Sequence, residues 1–473
     1  MNKNDVVRIT IEDMSHEGAG IGHVDGMTVF VKDAVKGDEA DVIITKVKKN
    51  YCFGTVKEVV VPSKDRVIPK CPVYRQCGGC QIMQLSYEAQ LALKTDIVKN
   101  NLIRLGGFEA DYVESVMEPI IGMDEDDARY RNKAQIPVGK DRDDKLVAGF
   151  YGARSHRIVP VRDCKICSEA SFSIAYQVLE YMEEYHIPAY DETTGKGLIR
   201  HVLVREGKAT GETMVCLVVN GADIEKKETL VKRLREYDSN ITSIVININT
   251  RRDNVILGYE TKTIYGKDSI RDSITLSTGD TIAFDISANS FYQVNHDQME
   301  KLYSKALEYA GLTGQESVWD LYCGIGTITL SMATNAKQVY GVEVVPQAIE
   351  NARANAALNH IDNVEFFCGE AEVVLPEFYD KAYSQSNATD MITPDVIVVD
   401  PPRKGCDNRC LDTMLQMKPG RIVYVSCDSA TLARDLKYLC QGGYTVEKVT
   451  PVDQFANTMH IETVVLLSRK APV

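Results

Sequence analysis

The chain has 473 residues, 44% of them hydrophobic and 26% charged, which suits roughly two to four globular domains. No apolar run approaches the roughly 18 residues of a membrane span, and the first residues form no apolar signal segment, so we expect a cytoplasmic protein without a membrane partner. The net charge of −13 argues weakly against a nucleic-acid partner. Two segments are nevertheless locally basic, which favours a nucleic-acid partner. Residues 41–70 contain seven Lys/Arg and three Asp/Glu, and residues 129–165 contain ten Lys/Arg and four Asp/Glu.

The first 60 residues are predicted to form a small β domain, because β-branched runs alternate with Gly and Asp. The four glycines at 18, 20, 22 and 26 are predicted to form turns rather than a phosphate loop, since no strand–helix pair frames them. A barrel of the OB type fits this pattern, and such barrels often bind nucleic acid. The basic stretch Lys46 to Lys49 favours RNA over a protein contact. The predicted strands are 6–11, 28–31, 40–47 and 53–59.

Thirteen cysteines in a cytoplasmic chain favour metal binding or catalysis over disulfides. Three of them lie close together in Cys71-Pro-Val-Tyr-Arg-Gln-Cys77-Gly-Gly-Cys80, and the glycines let the backbone wrap closely around a metal centre. A fourth ligand must come from farther along the chain, and Cys164 and Cys167 are the candidates. Thiolates suit either tetrahedral zinc or an iron–sulfur cluster, and the spacing does not choose between them.

Residues 61–285 are predicted to form a central, sheet-rich domain that carries the metal cluster. It begins with a long amphipathic helix over residues 84–105, closed by Gly106-Gly107. β-branched runs over 198–204, 213–219 and 243–248 are typical of strands.

From about residue 286 strands alternate with helices, which predicts a doubly wound α/β sheet. Strand 317–320 leads into a glycine turn that ends at Gly326, and a second strand ends in Glu343, 17 residues later. That is near the spacing at which a carboxylate meets the ribose hydroxyls of a nucleoside cofactor. The third glycine of a dinucleotide fingerprint is missing, which favours S-adenosylmethionine over a nicotinamide cofactor. A further strand ends in Asp400-Pro-Pro-Arg403, after a polar loop predicted around 380–394.

Cys427 follows the apolar strand Ile422 to Val425 and precedes a helix predicted over 430–440. Open α/β sheets place their chemistry at the carboxyl ends of the strands. The helix N-terminus favours negative charge nearby, so it can help to stabilise a thiolate. A cysteine at this position is therefore a candidate nucleophile.

Together these pieces resemble the RNA 5-methyluridine methyltransferase family. The motifs that carry the resemblance are Phe291-Tyr-Gln-Val-Asn295, Asp320-Leu-Tyr-Cys-Gly-Ile-Gly326, Asp400-Pro-Pro-Arg403, Val425-Ser-Cys-Asp428 and His460-Ile-Glu462. The combination is specific, although no single motif is.

The N-terminal segment strengthens the resemblance. Met14-Ser-His-Glu-Gly-Ala-Gly-Ile-Gly22, followed by Val29-Phe-Val31, resembles the TRAM domain of RNA-modifying enzymes. With the cysteine set, this makes the chain similar to the 23S ribosomal RNA branch of the family. The resemblance implies three domains: a TRAM-like barrel at 1–60, a central domain with an iron–sulfur cluster at 61–285, and an S-adenosylmethionine-dependent methyltransferase domain at 286–473. It also implies an RNA partner, most specifically 23S rRNA, and we expect a monomer.

The resemblance also implies roles for individual residues. Cys427 corresponds to the nucleophile that attacks carbon 6 of uracil, and Glu462 to the base that removes the carbon 5 proton. The family positions that contact the cofactor correspond to Gln293, Tyr322, Glu343 and Asp400. The family's ligands to a 4Fe–4S cluster correspond to Cys71, Cys77, Cys80 and Cys164, with Cys167 as the reserve ligand.

Two features depart from the family pattern, namely Ser429 where proline is expected and a long loop at 380–394. Three alternatives stay open. The same chemistry on transfer RNA is one. An amino-methyltransferase is another, but such sites need an aromatic residue after the two prolines, where this chain has Arg403. A non-catalytic RNA-binding protein is the third, and the intact glycine turn and Cys427 argue against it.

Overall fold

The structure is a computed structural model that describes residues 1–124, 129–385 and 393–470. Its N-terminal part is a six-stranded sheet in the order β1-β5-β6-β4-β3-β2. Every second residue of its central strands points inward, so that Val29, Val31, Val42 and Ile44 form a separate small core. The strands are β1 (Val6–Thr10), β2 (Asp13–Met14), β3 (Gly20–Val24), β4 (Met27–Lys32), β5 (Glu39–Val47) and β6 (Tyr51–Val61).

Two of the four glycines predicted as turns lie in a strand instead. Gly18 and Gly26 have φ values of 81° and 76°, as turns require, but Gly20 and Gly22 belong to β3. A Cβ on Gly22 would lie 2.5 Å from the carbonyl oxygen of Thr10. Glycine is needed there for close strand approach rather than for a turn.

The predicted long helix is shorter than expected. Helix α1 (Tyr87–Asn101) continues into a π-helical turn, Leu102–Gly106, and Gly107 ends it in the left-handed region at φ 72°. Its buried face includes Gln90 and Lys94 beside Val98, so it is not the apolar face that was predicted. Helix α2 (Ala110–Val116) follows.

The central part is a seven-stranded sheet in the order β13-β12-β11-β10-β7-β8-β9. Strands β10, β11 and β12 confirm the three predicted runs, and helices α3 (Glu169–Glu184) and α4 (Lys227–Tyr237) pack on it. The strands are β7 (Lys133–Lys140), β8 (Leu146–Tyr151), β9 (Ile158–Pro160), β10 (Ile199–Glu206), β11 (Thr213–Val219), β12 (Ile241–Ile248) and β13 (Glu260–Gly266).

A two-stranded hairpin, β14 (Ser269–Thr275) and β15 (Thr281–Ser287), connects this sheet to the C-terminal part. The domain boundary predicted at residue 285 lies inside β15. The buried face of the hairpin shares one hydrophobic core with Leu203 of the central sheet and Val318 of the C-terminal sheet. The two sheets are therefore joined by a continuous core.

The C-terminal part is a doubly wound, seven-stranded sheet in the order β18-β17-β16-β19-β20-β22-β21. Strands β16 to β20 run parallel, whereas β22 is antiparallel to both of its neighbours. The strands are β16 (Ser317–Asp320), β17 (Gln338–Glu343), β18 (Val364–Cys368), β19 (Val396–Val399), β20 (Arg421–Ser426), β21 (Tyr444–Val452) and β22 (Glu462–Arg469).

In the described part of this region, the helices that accompany the sheet, as the alternating pattern predicted, are α5 (His296–Ala310), α6 (Thr327–Ala333), α7 (Pro346–Leu358), α8 (Ala371–Gln385), α9 (Asn408–Met417) and α10 (Ser429–Gln441). Helix α8 occupies the start of the loop predicted at 380–394, and residues 386–392 of that loop lie outside the described residues. Among the described helices, none is long and apolar enough to cross a membrane.

Candidate active site and cysteine cluster

Cys427 lies directly after β20 and before α10. Asp428 caps the helix, because its Oδ1 accepts hydrogen bonds from the backbone N–H groups of Ala430 and Thr431, both at 3.0 Å. Ser429, where the family pattern has proline, accepts a hydrogen bond from Nδ2 of Asn101 at 2.8 Å. The departure from proline therefore ties the start of α10 to the end of α1.

Glu462 lies near Cys427, at the start of a strand that runs in the opposite direction. Because β22 is antiparallel to β20, with Ser426 opposite Thr463, the start of β22 lies beside the end of β20. Glu462 is 2% exposed, and its Oε2 is buried with no hydrogen-bond partner among the described residues. A buried carboxylate oxygen without a partner is costly, which points to a function for it.

One cavity of about 730 Å³ brings the predicted catalytic and cofactor positions together. It extends from the carboxyl ends of β16 and β17, across the carboxyl end of β19, to the carboxyl end of β20 and the start of β22. This is the place where open α/β sheets bind their ligands. The predicted residues that line it are Gln293, Tyr322, Glu343, Asp400, Cys427 and Glu462.

Burial and carboxylates dominate the electrostatics at Cys427. Its pKa is raised to about 12, first by burial and then by the charges of Glu462 and Asp400, while Arg403 acts in the opposite direction. That the N-terminus of α10 helps to stabilise a thiolate stays a prediction.

Two of the carboxylates that line the cavity, Glu462 and Asp400, have raised pKa values for related reasons. Burial, followed by the charge of Asp400, raises the pKa of Glu462 well above its usual value. Burial and the charge of Asp320 raise the pKa of Asp400 to about 7. A carboxylate whose pKa is close to neutrality is a stronger base than an exposed one, and this suits proton removal.

The other end of the cavity fits a nucleoside cofactor. Gly324 faces open space, and Oδ1 of the buried Asp320 has no hydrogen-bond partner among the described residues. Oε1 of Glu343, at the end of β17, accepts the Val345 N–H at 3.0 Å, and Oε2 has no hydrogen-bond partner in the part of the chain that the structure describes. Glu343 lines the cavity, so this oxygen is available to a hydroxyl group of a ligand.

The sequence assigned no role to the other residues that line this cavity, which include Phe291, Lys133, Arg403 and His460. Burial, followed by the charges of Arg205 and Arg131, lowers the pKa of Lys133 to about 7. Lys133 lies at the start of β7, in a segment whose excess of basic residues was the one available signal.

The predicted metal ligands lie around a second cavity, of about 430 Å³, together with the reserve residue Cys167. Cys71, Cys77 and Cys80 are close enough to Cys164 for the charges of the four to interact, and the Cys167 thiol donates a hydrogen bond that lowers the pKa of Cys164 to about 6. Within the described residues, no three His, Cys, Asp or Glu side chains are arranged to hold a metal ion.

The two cavities have common walls. The side chains that line both are Lys133, Val294, Arg403, Phe455 and His460. Backbone bridges link Arg131 to Cys167 on one side and to Asn295 on the other. The segment between them therefore connects the cysteine cluster to the candidate active site.

A doubly wound sheet with a glycine turn after its first strand and a carboxylate at the end of its second defines a methyltransferase that uses S-adenosylmethionine. Comparison with known proteins agrees. The family model for tRNA (uracil-5-)-methyltransferases matches residues 86–470 and the TRAM domain model matches residues 2–57. The chain belongs to the RNA uracil-5-methyltransferase family and carries a TRAM domain.

Relatives of nearly full length support this assignment. The chain is 49% identical to an uncharacterised RNA methyltransferase of Halalkalibacterium halodurans, over 99% of this chain and 98% of that one. It is 44% identical to an uncharacterised RNA methyltransferase of Clostridium tetani, over 99% and 97% of the two chains. The crystal structure of the Pyrococcus abyssi tRNA (uracil-54, C5)-methyltransferase in complex with S-adenosyl-L-homocysteine superimposes with a TM-score of 0.74 at 27% identity, covering 98% of this chain and all of that one.

Proposed function

We propose that this protein methylates carbon 5 of a uridine in RNA through a covalent adduct between Cys427 and the uracil ring. The observation that carries the proposal is the position of Cys427 and Glu462 at the ends of two paired strands, in one cavity with the cofactor-binding positions. Family membership alone leaves the mechanism open, whereas this pairing supplies a nucleophile and a base on the same site.

The reaction requires such a pair. Carbon 5 of uracil is a poor nucleophile until the Cys427 thiolate adds to carbon 6 and turns the ring into an enolate. S-adenosylmethionine supplies the electrophilic methyl group when it is bound. Gln293, Tyr322, Glu343 and Asp400 would hold the cofactor, which would transfer this methyl group to carbon 5 and leave as S-adenosylhomocysteine. Glu462 then takes the carbon 5 proton, the bond between sulfur and carbon 6 breaks, and the thiolate leaves.

Glu462→Gln tests this mechanism. The amide is nearly isosteric with the carboxylate but cannot act as a base, so thiolate addition and methyl transfer should proceed and elimination should stop. The expected product is a covalent protein–RNA adduct, seen as a slow band on a denaturing gel and labelled from methyl-tritiated cofactor.

The double variant with Cys427→Ala is the matched control and should show no band, since the link runs through that sulfur. Turnover of Glu462→Gln at the parental rate would make the carboxylate a strand-end charge. Complete inactivity without an adduct would place its role in binding or folding.

We propose 23S rRNA as the substrate, in support of which stand the TRAM domain and the five clustered cysteines. Transfer RNA is the second candidate, because both the matching family and the Pyrococcus abyssi protein are named for tRNA. Mapping 5-methyluridine in purified rRNA and tRNA from a deletion strain distinguishes the two. Loss of the modified base from rRNA alone supports the proposal, and loss from tRNA alone replaces it.

We also propose that Cys71, Cys77, Cys80 and Cys164 hold a 4Fe–4S cluster. The donor set is made of thiols, which suits soft metal centres. The four thiols line one cavity of about 430 Å³, and the charges of Cys71, Cys77 and Cys80 each interact with that of Cys164. Bound there, the cluster supplies a rigid cross-link between residues 71–80 and 164.

The remaining expectations belong to the same proposal. They are a division of the chain at residues 60 and 285, a cytoplasmic location and a monomeric state. All thirteen cysteines are free of disulfides, as in a reducing compartment. Light scattering on the purified protein measures the oligomeric state directly.

A further inference from the structure

Three aromatic rings form a contiguous group on the outer face of the TRAM sheet. The ring centroids of Phe30 and Tyr51 are 5.8 Å apart, those of Phe30 and Phe53 5.8 Å, and those of Tyr51 and Phe53 5.5 Å. The alternation of the strands explains the placement, because the neighbours Val31 and Cys52 are fully buried in the small core. The aromatic residues therefore face away from that core, and 38% of Tyr51 is exposed.

Lysines surround this aromatic group. Lys46 lies opposite Phe53 in the β5–β6 ladder, and the β5–β6 turn adds Lys48 and Lys49, all three exposed. Among the described residues, no carboxylate lies within ion-pairing distance of these three lysines, although exposed basic residues elsewhere, such as Arg8 and Lys140, are paired. The aromatic group is thus bordered by positive charge that the protein itself does not neutralise.

We propose that Phe30, Tyr51 and Phe53, with Lys46, Lys48 and Lys49, form a stacking platform for a single-stranded segment of the RNA substrate. An exposed ring backed by two half-buried ones, among cations without ion-pair partners, is a combination that single strands bind, since bases stack on aromatic rings and the cations follow the phosphates. A protein partner would need carboxylates for the lysines and an apolar patch for the rings. A duplex keeps its bases stacked inside and leaves the rings without a partner.

The platform is continuous with the rest of the protein. The side chain of Lys32, at the end of β4, donates a hydrogen bond to the carbonyl of Arg75 at 3.1 Å, within the cysteine segment. The position of the platform lets the TRAM sheet bind RNA that flanks the target uridine, while the C-terminal sheet acts on the uridine itself. The inference rests on the proposed RNA substrate, but it concerns affinity and not chemistry.

Fluorescence anisotropy with a labelled oligoadenosine tests the platform on the full-length protein. A length of about 12 nucleotides matches the site sizes of OB folds, and the absence of uridine keeps the probe out of the uracil site. Tyr51→Leu should weaken binding ~10-fold, which lies within the range for loss of one stacking ring. Tyr51→Phe keeps the ring and should bind as the parent does.

The matched control is Tyr259→Leu, since Tyr259 is 91% exposed and lies in the central part of the chain. It should leave the affinity unchanged. The double variant Lys48→Gln, Lys49→Gln should flatten the plot of log affinity against log salt by roughly 1.4, because each phosphate contact on a single strand contributes about 0.7. A duplex of equal length should bind Tyr51→Leu and the parent alike.

Unchanged oligoadenosine binding by Tyr51→Leu would overturn the proposal and make this face a protein contact. Equal weakening for single strand and duplex would also overturn it, since it would indicate charge without stacking. Binding of S-adenosylhomocysteine by each variant reports on folding. The adduct experiment on Glu462→Gln uses a different readout, so failure of the platform and failure of the proposed chemistry are distinguishable.

Discussion

At the scale of single residues, Cys427 is the position where the structure adds most to the sequence. Replacing it by alanine removes the only atom proposed to bond with the uracil, so we expect methyl transfer to vanish. The cofactor end of the cavity, around Glu343 and Tyr322, stays as it is, and calorimetry should find S-adenosylhomocysteine bound about as tightly as by the parent. Substantial turnover by Cys427→Ala would refute the covalent mechanism.

The pKa of Cys427 gives a second prediction. Burial, followed by the negative charges of Glu462 and Asp400, raises the pKa of this thiol to about 12. Glu462→Gln removes one of these charges, so the pKa should fall. More thiolate then exists at any given pH below the midpoint.

Iodoacetamide alkylation of Cys427, followed by mass spectrometry over an alkaline pH series, measures this midpoint. It should move to lower pH in Glu462→Gln. An exposed residue far from the cavity provides the control, and Glu308→Gln should leave the midpoint unchanged. A midpoint that stays in place, or rises, in Glu462→Gln would mean that the two side chains do not interact.

Serine variants of the cysteine cluster distinguish Cys164 from Cys167 as the fourth ligand. If Cys164 is the fourth ligand, Cys164→Ser should lose iron during anaerobic purification and Cys167→Ser should keep it. Iron analysis and visible absorbance report the outcome. Loss of iron from Cys167→Ser alone would exchange the two roles, and zinc in place of iron would refute the cluster type.

The motifs in the sequence predicted a reactive pair and four cofactor positions, and all six of these residues line one cavity. Their roles stay predictions. The sequence did not identify Lys133 as a neighbour of that pair. Lys133 lies at the start of β7, so its position depends on how the central sheet packs against the C-terminal sheet, and no local pattern in the chain encodes that packing.

At the scale of secondary-structure elements, α1 also shows where prediction from local sequence patterns fails. A helix with Gln90 and Lys94 on its buried face has a weak apolar stripe, and the reason lies far away in sequence. Nζ of Lys94 donates to Oδ1 of Asp453 at 2.5 Å and to the carbonyl of Phe455 at 3.0 Å, and both charged side chains are fully buried. The helix thus fixes the segment that leads to Glu462.

Lys94→Met should consequently destabilise the protein by about 3–5 kcal/mol, the typical cost of leaving one partner of a buried ion pair uncompensated. Denaturant unfolding measures this. Lys99→Met, on an exposed face of α1 where Lys99 pairs with Glu114, should cost about 1 kcal/mol or less.

Adding Asp453→Asn to Lys94→Met removes the orphaned charge and should recover part of the loss. A Lys94→Met variant as stable as Lys99→Met would show that the pair contributes little. In that case the backbone hydrogen bonds of residues 453–457, and not the ion pair, would hold this segment in place.

At the scale of the whole molecule, the doubly wound C-terminal sheet and the separate N-terminal sheet were predictable, because regular alternation of hydrophobic runs and glycine turns marks both. The continuous core between the central and C-terminal sheets was not predictable. It forms through the β14–β15 hairpin, whose strands alone look like any edge hairpin.

The antiparallel insertion of β22 has a consequence for how activity is lost. Cys427 and Glu462 are carried by strands that exchange backbone hydrogen bonds, with Val425 opposite Val464 and both fully buried. A fluctuation of a surface loop cannot separate them. The amides of these two valines should therefore be among the slowest to exchange with deuterium. The distance between nucleophile and base should persist until the sheet itself comes apart, so heat inactivation should coincide with the loss of this protection rather than precede it.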